Sequence, residues 1–381
     1  MPHPIRRRSA LAASSLLACL VACLAAPPAR AQDAVTIAVA GPVTGASAPV
    51  GEQMRRGAGL AVDDLNAAGG VLGRRLRLEV HDDACDPKQA VAVANLLATR
   101  RTRFVVGHAC SGASIPASAV YAEEGVLMIS PASSNPALTD DATAKGWITI
   151  LRLYGRDDGQ GDFIGRWLVE NKPGARIAVV DDQTAYGRGL AERVRASLAA
   201  RGRPPVLNAA ITRGERDFNA LVARLKEARP DLIYFGGYPV EAGLLLRQAR
   251  EQGLGATLMS GDSLVTPDFW NVTGPAGEGT LMTFPPEPRA NPAAQAVVER
   301  LRAAGFDPEG YTLYSYAAVQ AIAAGAAKAG GLDPARVASA LRGGAPVPTV
   351  LGPIAFDAKG DIKDPRYAIY VWRDGQYREQ P

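Results

Sequence analysis

The stretch Val105-Val106-Gly107-His108-Ala109-Cys110-Ser111-Gly112-Ala113-Ser114 brings an imidazole, a thiol and two hydroxyls to the end of an apolar run. Three chemistries fit those residue types. Cys110 could be a nucleophile with His108 as its base, which needs a lowered thiol pKa and a base within hydrogen-bond reach. It could be a zinc ligand, but two cysteines without clustered histidines do not fill four tetrahedral positions. It could also be half of a covalent staple beside some other site. Outside residues 1–31 the chain holds two histidines, His81 and His108, and no Cys-His-Asn set assembles from them. His108 is equally a satisfied residue at a strand end.

Other polar groups recur at comparable places. Ser111-Gly112-Ala113-Ser114 and Ala132-Ser133-Ser134 each follow an apolar run and open a helix. A helix N-terminus offers unpaired N–H donors and partial positive charge, which suit a carboxylate; serine also simply caps helices there. Asp262, in Met259-Ser260-Gly261-Asp262-Ser263, could hold an ammonium group or cap the short segment Thr266–Trp270. Tyr186 and Tyr238 occupy strand-end loops, where a ring can wall a cleft and its hydroxyl can hydrogen-bond. Phosphate-binding glycine motifs are absent.

Short β-branched runs alternate with longer amphipathic ones, the pattern of α/β architecture with parallel strands. The first series reads as strands at 35–40, 76–81, 104–106 and 126–129, with helices at 51–67, 87–99 and 114–123. After an apolar stretch at 148–153, a second series has strands at 177–180, 206–209, 232–235 and 257–259, with helices near 185–199, 217–228 and 240–251. Helices near 292–304, 313–329 and 334–341 and a closing strand pair at 367–372 and 376–377 complete the chain. Two series suggest two sheets, and ligands bind beyond the carboxyl ends of such strands. All the polar loops named above lie at those ends, as if aimed into one cleft.

Residues 1–31 read as an export signal: Arg6-Arg7-Arg8, an apolar segment from Ala10 to Ala26, then Ala29-Arg30-Ala31 for cleavage. Leu20-Val21-Ala22-Cys23 resembles a lipoprotein box, whose cleavage would leave a lipid anchor on Cys23. The full chain carries 42 Lys+Arg and 38 Asp+Glu. The leader holds four of those arginines and no acid, so the remainder carries 38 of each sign. Nothing asks for nucleic acid or an anionic membrane surface. Outside the leader only Cys85 and Cys110 remain, and an exported chain with two cysteines most simply makes one disulfide.

Asp82-Asp83-Ala84-Cys85-Asp86-Pro87-Lys88-Gln89-Ala90-Val91-Ala92-Val93-Ala94-Asn95 resembles a segment of the bacterial leucine/isoleucine/valine-binding proteins. Val106-Gly107-His108 with Cys110-Ser111, Tyr186-Gly187 with Gly189-Leu190-Ala191, and 221–226 are similar too, as are Gly236-Gly237-Tyr238 and Tyr316-Ala317-Ala318. The likeness spans essentially all of the chain after the leader. It implies a type I periplasmic binding protein: two Rossmann-like lobes, each a mostly parallel sheet flanked by helices, joined by a three-strand hinge. The lobes would be residues 32–152 with 284–356, and 153–283 with 357–381.

The same resemblance implies a Cys85–Cys110 disulfide and a monomeric, non-enzymatic receptor in the periplasm. It would need no cofactor or metal and would deliver an amino acid, branched-chain or otherwise aliphatic or bulky, to an ABC permease. A sensor of the same fold, binding an amide or aromatic acid and feeding a regulator, is the other use the family suggests. Ser111 would bind the ligand carboxylate, while Ala132, Ser133 and Ser134 would contact its carboxylate and ammonium. Asp262, standing where the family has a glutamate, would face the ammonium, and Tyr186 and Tyr238 would close over the ligand. Val50 and Ala109 replace a tyrosine and a leucine of the family's side-chain pocket. Both changes enlarge that pocket for a side chain bulkier than leucine, or leave more water around a small ligand. Phe269 or Trp270 could refill the space, or pack in the core.

Overall fold

The computed structural model describes Met1 and residues 34–380, so the leader expectations, Cys23 among them, lie outside the described residues. The elements belong to one compact unit, Val35–Pro381. A first βα series runs β1 (Val35–Gly41), α1 (Ala48–Ala67), β2 (Leu76–Asp82), α2 (Pro87–Thr99), β3 (Phe104–Gly107), α3 (Ser111–Glu123), β4 (Leu127–Ser130), α4 (Ala137–Ala144) and β5 (Ile150–Arg152). The second runs α5 (Asp157–Asn171), β6 (Ile177–Asp181), α6 (Ala185–Ala200), β7 (Leu207–Ala210), α7 (Asn219–Ala228), β8 (Leu232–Gly236), α8 (Pro239–Glu251), β9 (Thr257–Ser260), α9 (Asp268–Thr273) and β10 (Leu281–Phe284). Then follow α10 (Gln295–Ala303), α11 (Thr312–Ala329), α12 (Pro334–Arg342), the hairpin β11 (Val347–Thr349) and β12 (Gly352–Ile354), and the pair β13 (Ala368–Arg373) and β14 (Gln376–Glu379).

The first sheet has strand order β2-β1-β3-β4-β5 and is parallel throughout. The second repeats that plan as β7-β6-β8-β9-β10, extended by the antiparallel β13 and β14. In each parallel core the order reverses beside its first strand. There the following loops diverge and open a crevice.

Parallel strands covered on both faces need apolar residues on both. Along β1, β3 and β4, Ile37, Val39, Val106 and Ile129 join the core with Met54 and Ala58 of α1 and Leu313 and Ala317 of α11. The alternate residues Ala38, Ala40, Val105 and Met128 pack with Ala90 and Ala94 of α2 and Ala113 and Ala117 of α3. Helices α1 and α11 cross so closely that a Cβ on Gly57 would collide with the Thr312 carbonyl.

The predicted elements recur with boundaries shifted by a few residues. The larger differences are α4, α5, α9, β10 and the β11–β12 hairpin, which periodicity does not flag. Helix α5 contains Gly159, Gly161 and Gly165, and glycine disfavours a helix by about 1 kcal/mol per residue. Tertiary packing overrides that preference: a side chain at Gly161 would meet Arg193, and one at Gly165 would meet Ser197, both on α6. The glycines weaken the isolated helix and permit the packed one.

The chain passes between the sheets after Arg152, after Phe284 and after Ile354. The first and third crossings meet where Arg152 N donates to Gly360 O (2.9 Å). The Arg152 side chain is fully buried. Its Nε and Nη2 donate to Asp361 Oδ1 at 2.8 and 2.6 Å, and Nη1 donates to Asn135 O at 2.8 Å. A buried pair without further partners would be costly; here the remaining donors reach Thr139 Oγ1 (2.6 Å) and Ser133 O (3.4 Å).

Cys85 and Cys110 form a disulfide with Cα atoms 5.5 Å apart and a sequence separation of 25. It joins the loop after β2 to the loop after β3. Replacing both cysteines with alanine is expected to lower the unfolding free energy by about 3 kcal/mol, from the entropy of the opened loop. Urea denaturation reads this as a lower midpoint, and an unchanged midpoint contradicts it.

Candidate functional site

The loops at the carboxyl ends of both sheets meet around a space of about 490 Å³, part of it open to solvent. From the first sheet come Val50 on α1, Ala109 and Ser111 after β3, and Ala132 and Ser134 after β4. From the second come Tyr186 at the start of α6, Tyr238 after β8 and Asp262 after β9. Eight of the nine residues singled out in the sequence therefore share one cavity.

Ser133 is the ninth. It lies behind the wall, its hydroxyl donating to Ala109 O (2.9 Å) and paired with Ser114 Oγ. The reason is the tight turn after β4, where Ser130 Oγ accepts from Ser133 N (3.0 Å) and donates to His108 O (2.7 Å). The turn points Ser133 back into the β3 loop and leaves Ser134 at the cavity. Phe269 is also off the cavity, fully buried against Trp372, and Trp270 stacks on Trp372 as well. Both serve core packing, and the Val50 and Ala109 space is not refilled by them.

His108 and Cys110 are each committed to other partners. His108 is buried, with Nδ1 2.5 Å from Asp83 Oδ2 and Nε2 3.0 Å from Tyr121 OH. Both ring nitrogens are engaged away from Cys110, whose sulfur is bonded to Cys85. No thiolate is left to attack. The same bond shapes the site, because Cys110 stands at the N-cap of α3 and gives no side-chain cap. The first N–H groups of a helix have no intrahelical acceptor. With a disulfide sulfur at the cap, they and the Ser111 hydroxyl form a donor set suited to a carboxylate.

Across the cavity Asp262 is 2% exposed. Tyr311 OH donates to its Oδ2 at 2.6 Å, while Tyr186 OH and Gln160 Nε2 donate to Oδ1 at 3.0 and 3.1 Å. Burial raises its pKa, and those hydrogen bonds oppose the shift. Among the described residues no cation lies within ion-pair distance of it. Burial without a cation disfavours the charged form, and a ligand cation beside this carboxyl would favour it.

Tyr186 and Tyr238 pack with ring centroids 5.4 Å apart, and the Arg213 guanidinium sits 4.5 Å from the Tyr238 centroid. Gly187 and Gly236 make this arrangement possible, since a Cβ on either would strike the other's carbonyl. One contact bridges the cavity's two sides, Asn135 Nδ2 donating to Ala185 O at 2.6 Å, while Asn135 N donates to Ser111 Oγ at 3.2 Å on its own side.

A match to the periplasmic binding protein family covers residues 34–376. This chain belongs to the periplasmic binding protein family. It is similar to an amino acid binding protein of Pseudomonas aeruginosa, 48% identical over 351 residues, covering 91% of this chain and 92% of that protein. It is similar to Leu/Ile/Val-binding protein homolog 1 of Brucella melitensis, 45% identical over 346 residues, covering 90% and 92%. Among solved structures it resembles the branched-chain amino acid transporter substrate binding protein LivJ from Streptococcus pneumoniae in complex with isoleucine. That likeness has a TM-score of 0.81 and 25% identity, covering 90% of this chain and 97% of the other.

Residues of this binding protein that sequence reasoning misses are Gln160, Tyr311, Asn135 and Asp157. The first and last lie on α5, hidden by its glycines. Tyr311 immediately precedes a predicted helix, and Asn135 closes a loop already flagged for its serines; both had a positional signal. Asp157 is fully buried, and neither carboxylate oxygen has a hydrogen-bond partner among the described residues. Burial pushes its pKa up to about 7, against the pull of the Ser134 hydroxyl and Arg152.

An aspartate keeps its proton only to about pH 3.8 when unfolded. Between there and pH 7 the native state binds more protons, so its stability falls as pH rises, and the full cost is present above pH 7. Asp157→Asn is therefore expected to stabilise the ligand-free protein by roughly 2–4 kcal/mol at pH 8 and hardly at all near pH 4. Thermal melts at both pH values check this; an equal effect at both contradicts it.

Proposed function

We propose that this protein is the substrate-binding receptor of an ABC importer, working in the periplasm and holding an amino acid with a branched or otherwise aliphatic side chain. The observation that carries this reading is the pairing of opposite poles across one cavity. The uncapped N-terminus of α3 with Ser111 stands on one side and the uncompensated Asp262 on the other. A zwitterion fits both. Ser111 takes its carboxylate, Ser134 and the Ala132 backbone assist, and Asp262 takes its ammonium. Val50 and Ala109 leave room for the side chain, while Tyr186 and Tyr238 cover it. The names of the relatives and the isoleucine bound to LivJ point the same way.

The mechanism is closure of two lobes, residues 32–152 with 284–356 and residues 153–283 with 357–381. Ligand docks on the serine loops of the first lobe. The second lobe then adds Tyr186, Tyr238 and Asp262, contacts made only in the closed form. That difference in binding is what shifts the open–closed equilibrium. Cross-cavity contacts such as Asn135 to Ala185, and Arg213 Nη1 to Cys85 O at 3.5 Å, belong to the closed form and support this assignment. The permease reads the closed shape, and ATP is hydrolysed by another subunit. The role of the chain itself is to bind its ligand, not to transform it.

Titration calorimetry with leucine, isoleucine and valine tests the reading. Ser111→Ala is expected to weaken binding by roughly 1–3 kcal/mol, the value of a hydrogen bond to a charged partner; unchanged affinity would refute the carboxylate role. Asp262→Ala should weaken binding by more than Asp262→Glu, which keeps the charge one methylene further out. Equal losses count against an ammonium at Asp262.

A further inference from the structure

The poles described above account for the amino and carboxylate ends of a ligand but not for the polar groups at the remaining part of the cavity. Ser47, Thr266 and Asp268 also line it, together with the apolar Val50, Ala109 and Pro239. We propose that Asp268, with Thr266 beside it and Ser47 opposite, recognises a hydrogen-bond donor at the end of the ligand side chain, so that the preferred ligand has an aliphatic stem ending in an ammonium or amide group. This rests on the amino-acid reading and departs from it in one respect, the polar end given to an otherwise aliphatic side chain.

Ser47 and Asp268 each stand where a local structural role is usual and do not fill it. Ser47 stands at the N-cap of α1, yet its hydroxyl accepts no hydrogen bond from the helix and makes none elsewhere among the described residues. It is 8% exposed and held in place, because Asp82 fixes the preceding loop through Val43 N (2.8 Å), Thr44 N (3.1 Å) and Thr44 Oγ1 (2.5 Å). Asp268 lies in the first turn of α9, yet accepts from no backbone N–H of that helix. Its single hydrogen bond is from Thr266 Oγ1 at 3.3 Å, and among the described residues no cation lies within ion-pair distance. Burial raises its pKa, with the Thr266 hydroxyl opposing.

These groups come from opposite sides of the cavity, Ser47 from the loop after β1 and the other two from the segment after β9. Val50, Ala109 and Pro239 offer an aliphatic stem its walls. A ligand ending in a methyl group fills the same space but offers the Asp268 carboxylate and the Ser47 hydroxyl no hydrogen bond. Sites built on such polar groups reject an analogue lacking the donor far more strongly than they resolve one methylene.

The test is calorimetry on the ligand-free protein with lysine, glutamine, norleucine and leucine. Lysine or glutamine is expected to bind at least about tenfold more tightly than norleucine. Preference for lysine alone assigns the end group a positive charge; preference for both assigns it a donor of either kind. Asp268→Asn should bring the lysine-to-norleucine ratio to within about threefold of one, and Ser47→Ala should lower it as well. Norleucine binding as tightly as lysine and glutamine overturns the inference, and so does a ratio that both variants leave unchanged. In those cases leucine binding leaves the amino-acid reading standing. Failure of all four ligands to bind overturns that reading and this inference together.

Discussion

A single buried carboxylate organises the interior of this protein. Asp262 is removed from water, and no cation among the described residues compensates it. Its burial is tolerated because Tyr186, Gln160 and Tyr311 direct neutral donors at it from three different elements. Such a site is stable enough to exist and incomplete enough to favour a cation. Donors fixed before binding cost a ligand little in reorganisation, so most of the favourable interaction remains available for holding it.

The scaffold supplies that geometry by repetition. Two parallel cores with the same strand order each open a crevice where the order reverses, and the two crevices face one cavity. On one side the Cys85–Cys110 bond and the His108–Asp83 contact fix the loop carrying Ser111. Arg152 then braces the neighbouring serine loop from behind through the carbonyls of Ser133 and Asn135. Because Arg152 also grips Asp361 on another crossing of the chain, the crossing region and the carboxylate pole share one buried network. Arg156 extends it, with Nη1 donating to Asp361 Oδ2 at 3.0 Å and Nη2 to Asp140 Oδ2 at 2.9 Å. Rigid support on that side and cross-cavity contacts such as Asn135 to Ala185 are the parts a closing clamp needs.

Much of this was legible before any coordinates. Apolar runs four to seven residues long, each followed by small and hydroxyl residues, mark buried parallel strands with functional loops at their ends. That logic located the loops of Ala109, Ser111, Ser134, Tyr186, Tyr238 and Asp262, and the family resemblance added Val50. It did not orient them. Ser133 and Ser134 are neighbours of the same type, yet a turn closed on Ser130 aims one inward and the other at the cavity. Nor did it find α5, since its glycines are unfavourable locally and favourable only once α6 packs against them.

What the sequence by itself determined is therefore what short-range chemistry fixes: the alternation of strands and helices, the polar loops at strand ends, and the two cysteines outside residues 1–31. The tertiary structure alone decided which distant groups meet. Tyr311, Tyr186 and Gln160 are 49, 76 and 102 residues from the carboxylate they hold. No local pattern encodes such a meeting, because it depends on how two sheets and their crossings pack, and burial then makes each hydrogen bond necessary.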